Sequence, residues 1–410
     1  MATKTFGKRN TLAPAIAAQP QAAAAIAVVD QPSPIQGALR QLDAAFPQKD
    51  PLAFIPLLTL GMIVFLLFIF GVQRRLAFDI GKDGDLSLES LLSLGAISYD
   101  LALGGAEVWR ATLAPLLHSS YSHLIGNAFA LFFVGMRLEP MIGRGWFAAI
   151  FALSAMGGVI GSLTGNPHGM PTVGASGAIT GLIGALFAVS FNHRADPFEK
   201  KAMRKTALFF GLPALLPLAF GASGGTDYFA HAGGALAGVA AGLALCLVWS
   251  ETSFRPDFSR QAIYAALTGL ALSALSTGFA AAHYKTYAAK AALLIPSSEM
   301  PDKMIGDAKT SAALLSRYPT DPRAHIVRAI YLADKAHSLA GAESELRAAM
   351  ALAGNDSAMR PLRDVSQAIL AAVLKEMGRG AEARIMAADM CRSKDQAGVR
   401  SVLVKEKLCD

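Results

Sequence analysis

Between residues 54 and 284, apolar runs of membrane length alternate with short polar loops. Phe54 to Val72 carries no charge over 19 positions, enough at 1.5 Å per residue to cross a hydrocarbon core of about 30 Å. Further runs near 119–138, 146–165, 176–192, 206–222, 228–250 and 261–284 bring the predicted spans to seven. Several hold glycines four residues apart (Gly157 and Gly161; Gly177 and Gly181; Gly234, Gly238 and Gly242). Small residues at that spacing let helix backbones approach closely in lipid. The run from 176 has only about 17 apolar residues before Asn192-His193-Arg194. It is expected to begin below the membrane surface, with the loop before it dipping inward, which protein or a water-filled cavity must surround.

The pattern changes after residue 284. Residues 285–410 are rich in Ala and charge with helical periodicity, and Gly341-Ala-Glu-Ser-Glu-Leu-Arg-Ala-Ala returns 39 residues later as Gly380-Ala-Glu-Ala-Arg-Ile-Met-Ala-Ala. With Tyr318-Pro-Thr-Asp-Pro322 opening a helix, this reads as degenerate helix pairs of the tetratricopeptide type. Two hairpins fall short of the three repeats usually needed, so the segment is expected to lean on something else. Residues 1–50, rich in Ala, Pro and Gln, read as a disordered cytoplasmic tail without a secretory signal peptide. The expected domains are therefore the tail (1–50), a six-span core (51–250), a linker with a seventh span (251–284) and a helical domain (285–410).

Composition agrees with that division. Only 16% of residues are charged and mean hydropathy is +0.41, against roughly a quarter charged in soluble domains. The net charge of +7 is scattered through loops and tail, so it marks membrane orientation rather than nucleic-acid binding. With the N-terminus inside, the segments on the other side of the core hold only Arg74, Arg75, Lys82 and Arg110. This orientation puts residues 285–410 on the outer side, most simply of a bacterial inner membrane. Three cysteines exclude a disulfide scaffold and a four-cysteine metal site. In an oxidising compartment Cys391 and Cys409 would pair; two free thiols are an equal alternative.

Three stretches carry candidate chemistry. Ser176, in Gly174-Ala175-Ser176-Gly177, opens an apolar helix after a polar loop. Free backbone N–H groups and the helix dipole favour developing negative charge there. Alone, a serine between glycines mostly serves close helix packing. In His118-Ser-Ser-Tyr-Ser-His123-Leu-Ile-Gly126-Asn127, helical spacing puts His123, Gly126 and Asn127 on one face, with His118 about 140° from His123. That spacing is poor for a metal clamp, while polar groups in lipid are costly enough to suggest function. His231, in Ala230-His231-Ala232-Gly233-Gly234, is followed by small residues through Gly238. A serine needs a base within about 2.6–3.2 Å to act as a nucleophile, and two glycine-faced helices in contact would bring Ser176 and His231 together. Acidic residues in the spans stand only at ends (Glu139), with Asp227 just outside, so the arrangement is a Ser–His dyad rather than a triad. His123, Asn127 and the Ser176 backbone N–H would form an oxyanion hole.

These stretches together resemble the rhomboid intramembrane serine proteases over roughly residues 54–250. The resemblance rests on Trp109-Arg110, His118-x4-His123-x3-Asn127, Leu138-Glu139 with Gly143, Gly174-x-Ser176-Gly177 and Ala230-His231-x2-Gly234-x3-Gly238. It implies an all-α polytopic fold of six helices plus a C-terminal seventh, without metal or cofactor. It also implies a water-accessible cavity open to the outer side, and cleavage in or near the transmembrane segments of membrane-protein substrates. By position it makes Ser176 nucleophile, His231 general base and acid, and His123 and Asn127 oxyanion donors. His118, Trp109 and Arg110 are structural. Where some members carry an aromatic four residues after the nucleophile, this chain has Thr180, whose hydroxyl either bonds the histidine or does nothing. The other histidines (His168, His193, His283, His325, His337) read as solvated or packing residues, with His168 in the loop before Ser176. The competing reading is a non-catalytic rhomboid-like protein that binds membrane clients, with the helical domain free to hold a protein partner.

Overall fold

The computed structural model describes residues 55–409 apart from 82, 167–169, 193–196, 220–225, 251–252, 254, 292, 297, 356–358 and 393–396. They belong to one compact unit, Leu52–Asp410. The expected tail, His168 and His193 lie outside the described residues. Among these residues all regular secondary structure is helical, apart from isolated bridges pairing Ile80 with Leu86 and Ile97 with Thr172.

Seven helices occupy the apolar part: α1 (Leu57–Leu76), α2 (Tyr121–Ile142), α3 (Arg144–Gly165), α4 (Ser176–Val189), α5 (Pro197–Ala219), α6 (Tyr228–Val248) and α7 (Ser259–Ala291). Five of them, α1, α2, α3, α6 and α7, are long and apolar enough to cross a membrane, making this an integral, multi-pass membrane protein. α4 differs. Its 14 residues span about 21 Å, less than a hydrocarbon core, and nearly all are buried. A helix apolar all round has to be enclosed by others, and this one is the centre of the bundle. α5 starts nine residues before the apolar run at 206, because the charged stretch Glu199 to Lys205 is itself helical. α2 passes Pro140 to end at Gly143, since a proline this near a helix end costs little more than one hydrogen bond.

Polar residues fix the ends of these helices. α1 begins without a side-chain cap of its own. Glu139 of α2 supplies one, taking the N–H groups of Leu58 (2.9 Å) and Thr59 (2.7 Å) and the Thr59 hydroxyl (2.6 Å) on its carboxylate. A buried carboxylate is tolerable when its lone pairs are filled in this way. Arg74 and Arg75, anomalous in the charge count, form the last turn of α1, where the negative end of the dipole favours cations. Arg74 also donates to the Gly84 carbonyl at 2.7 Å and lies over the Tyr121 ring.

The tightest packing joins α4 to α6 and α6 to α3. A Cβ on Gly234 would overlap the Gly177 backbone, and one on Gly238 the Gly181 backbone. A Cβ on Gly184 would lie 2.6 Å from the Ala235 carbonyl oxygen. On the other side of α6, a Cβ on Gly233 would overlap the Gly157 carbonyl. α6 therefore touches two neighbours backbone to backbone.

Residues after α7 form six further helices: α8 (Ala308–Arg317), α9 (Pro322–Asp334), α10 (Leu339–Ala353), α11 (Arg360–Glu376), α12 (Gly380–Arg392) and α13 (Ala397–Lys405). The two Gly-Ala-Glu copies fall at the starts of α10 and α12, with Ala342, Leu346, Ala383 and Ala387 buried. Cys391 and Cys409 are joined in a disulfide, the pairing rather than the free-thiol alternative. This segment rests on the loop between α1 and α2. Arg323 pairs with Glu89 at 2.7 Å, both largely buried, and Arg360 with Asp100 at 3.5 Å.

Gly238→Ala is expected to destabilise the protein by about 1–3 kcal/mol, because the backbone it meets cannot yield as a side chain can. Gly278→Ala, where a Cβ meets nothing within 4 Å, is expected to be neutral or slightly stabilising. Thermal unfolding of the two variants in detergent checks the difference.

Candidate functional site

The loop before α4 is held on two sides. Ile97 and Thr172 exchange backbone hydrogen bonds (3.1 and 2.7 Å), and Gly174 N–H donates to the Ala114 carbonyl at 3.0 Å. Gly174 has φ +125°, a conformation that side chains rarely tolerate. It is also needed for space, since a Cβ there would lie 2.7 Å from His123 Nε2 and 3.8 Å from Asn127 Nδ2. Ser176 is the first residue of α4 and half-buried. The N-cap position is Ala175, which makes no side-chain cap. The free N–H groups of the first turn are thus open to an anion.

His231 stands in the first turn of α6 and is buried. Gly177, next to Ser176, lies against the Ala230 carbonyl, next to His231, with 3.2 Å from a Gly177 Cβ position. His231 Nδ1 is 2.9 Å from the Ala214 carbonyl oxygen of α5. A carbonyl only accepts, so Nδ1 carries the proton and Nε2 keeps its lone pair. Pro217 removes one backbone bond from the last turns of α5, the part of the helix from which Ala214 reaches the imidazole. The Tyr228 ring meets the imidazole edge-to-face at 5.9 Å. Thr180 does not bond the imidazole; its hydroxyl lies 2.8 Å from the Gly177 carbonyl and 3.0 Å from that of His231. It ties α4 to α6 beside the site.

From α2 come the remaining side chains. Ser120 caps the helix, accepting from His123 N–H at 3.1 Å. His123 Nδ1 is 3.3 Å from the Ser119 hydroxyl. Asn127 Nδ2 donates to His118 Nε2 at 2.9 Å, and the rings of His118 and His123 meet edge-to-face at 5.1 Å. Gly126, expected on the same face, is exposed and a Cβ there would meet nothing.

Trp109 and Arg110 stand apart from this cluster, in the α1–α2 loop. The Arg110 side chain is fully buried and donates to Glu107 (2.6 Å), the carbonyls of Leu92 (2.6 Å) and Ala96 (2.9 Å), and Tyr287 of α7 (2.5 Å). Trp109 stacks on its guanidinium and faces His283. A cavity of about 20 Å³ lies behind the α4 loop, lined by Thr172, Gly174, Gly177 and Ala230 among others. That is room for one water.

Ser176, His231, His123, Asn127, His118, Gly174, Gly177, Gly234 and Gly238 thus gather around one end of α4, where α2, α4 and α6 meet. Among the described residues, Ser176 Oγ and His231 Nε2 do not hydrogen-bond each other. Two partners of His231 were hidden in the sequence. Tyr228 had a signal, an aromatic one turn before the histidine, whereas the Ala214 carbonyl is a backbone group that no motif marks.

The arrangement defines a helical membrane protein with a serine and a histidine on adjoining helices at one partly enclosed site. Residues 105–248, the membrane-embedded part, match the rhomboid domain family. It is similar to RHOMBOID-like protein 5 of Arabidopsis thaliana, 34% identical over 183 residues, covering 44% of this chain and 58% of the relative. Rhomboid protease GluP of Bacillus subtilis (strain 168) is 34% identical over 165 residues, 40% of this chain and 31% of the relative. Rhomboid protease AarA of Providencia stuartii is 31% identical over 179 residues, 39% of this chain and 63% of the relative. The chain therefore spans about half the length of the curated relatives it matches. No solved structure matches it significantly.

The Ala214 contact has a spectroscopic consequence. In ¹⁵N-histidine NMR of the full chain at neutral pH, His231 is expected as the Nδ1–H tautomer. An Nε2–H signal at this residue would contradict the contact.

Proposed function

We propose that this chain is an intramembrane serine protease that hydrolyses peptide bonds in or near transmembrane segments of other proteins. The observation that carries the reading is the backbone contact of α4 with α6, which sets Ser176 beside a histidine whose Nδ1 is already engaged. In the reaction Ser176 Oγ attacks the scissile carbonyl while His231 Nε2 takes its proton. His231 then protonates the leaving amine, and water releases the acyl group by the same steps in reverse. The tetrahedral oxyanion is received by His123 Nε2–H, the second amide hydrogen of Asn127 and the α4 N-terminus. For this, Ser119 donates to His123 Nδ1, and the bare Gly174 keeps Nε2 accessible. No metal or cofactor enters these steps.

The same reading takes α1 to α6 as a six-helix core and α7 as an added seventh, in a bacterial inner membrane with the N-terminus cytoplasmic. The tetratricopeptide-like helices after α7 then stand outside, on the side where the site opens, and can receive a protein partner or a substrate ectodomain.

Ser176→Ala is expected to reduce cleavage of a transmembrane substrate to background and to remove labelling by a fluorophosphonate probe, without loss of folded protein. Asn127→Ala is expected to lower kcat about 10²-fold. Normal cleavage by Ser176→Ala overturns the mechanism, and an unlabelled, inactive wild type supports the client-binding alternative instead.

A further inference from the structure

Asp227 stands immediately before α6, and it makes two contacts of different kinds. Oδ1 accepts the Ala230 N–H at 2.8 Å, capping α6 one residue before His231. Oδ2 accepts the Thr172 hydroxyl at 2.8 Å. Thr172 lies four residues before Ser176, in the loop that enters α4. One side chain therefore holds both the loop that delivers the serine and the helix that delivers the histidine.

The contact is the end of an ordered chain. Asn166 Nδ2 donates to the Ser162 hydroxyl (3.1 Å), Ser162 to Thr172 (3.0 Å) and Thr172 to Asp227 (2.8 Å). Each hydroxyl donates once and accepts once, and the carboxylate ends the series as a pure acceptor. Thr172 is simultaneously clamped by its backbone to Ile97, so the tether is fixed at both ends. An asparagine at 227 keeps an acceptor oxygen for the Ala230 N–H but can meet the Thr172 hydroxyl only by donating to it, which reverses the order of the chain and removes the negative charge. The carboxylate also sits at the positive end of the α6 dipole, one turn from His231, and so offsets a field that opposes the imidazolium formed during proton transfer.

Resting on the proposed protease reading, we infer that Asp227 and Thr172 are positioning residues for the catalytic pair: their bond fixes the spacing of Ser176 from His231. Neither touches the reacting atoms. Their effect belongs to the maximal rate rather than to ligand affinity, since a small displacement of the reacting groups costs up to about 10²-fold.

The test uses the purified full chain and a fluorophosphonate probe. Thr172→Val removes the hydroxyl but leaves the Asp227 cap and the Ile97 pairing in place. It is expected to lower the maximal labelling rate of Ser176 about 10- to 100-fold, with the half-saturating probe concentration within about twofold and the melting temperature unchanged. Thr172→Ser is expected to restore the rate. Labelling of Thr172→Val at the wild-type rate overturns the inference, and so does a loss that follows a lowered melting temperature and is not rescued by Thr172→Ser. When either of these results is obtained while wild type labels and Ser176→Ala does not, only the inference has failed; if wild type itself is inert, the protease reading falls and the inference with it.

Discussion

The structure depends on backbone-to-backbone contact between α4 and α6. In lipid, apolar side chains gain little by leaving the solvent for each other, so helices hold together through close packing and a few polar contacts. Gly177, Gly181 and Gly184 on one helix, with Gly234 and Gly238 on the other, remove the side chains that would keep the axes apart. A short helix can then lie inside the bundle, with a half-buried serine as its first residue. The same contact places the Ala230 carbonyl against Gly177, one residue from each member of the proposed dyad.

Around that contact, several buried polar groups find their partners on other helices. Glu139 fills its carboxylate with the start of α1. Thr180 joins α4 to the His231 carbonyl, and the Ala214 carbonyl of α5 accepts from His231 Nδ1–H. In a triad a carboxylate holds the imidazole; here a backbone carbonyl holds that of His231. Further out, Arg110 draws Glu107, two loop carbonyls and Tyr287 into one cluster. Arg323 and Arg360 add the last helical segment to the same loop. The loop between α1 and α2 is therefore braced by α7 and by the helices beyond it, and through Ile97 it meets the loop that leads to Ser176.

Much of this was legible in the chain. Apolar runs located the seven helices, and glycines four residues apart identified the faces that interlock, because both signals arise from local sequence periodicity. The shortness of the run from 176 pointed to the enclosed α4. What the sequence could not show depends on backbone groups or on distance in space. The Ala214 carbonyl, the cap that Glu139 gives α1 and the Asp227–Thr172 bond all join residues far apart in the chain. Thr180 was left between bonding the histidine and doing nothing, and only packing shows that its hydroxyl goes to the backbone carbonyls of Gly177 and His231. The exposed Gly126 shows the converse, a residue placed on the right face by spacing that meets no partner.

The most direct test of the account is an experimental structure of the full chain after reaction with a phosphonate inhibitor. The account requires phosphorus bonded to Ser176 Oγ, with His231 Nε2 within about 3.2 Å of that oxygen and the phosphoryl oxygen turned towards His123 and Asn127. An adduct on another residue, or a His231 ring facing away from Ser176 with α4 and α6 separated, would contradict it.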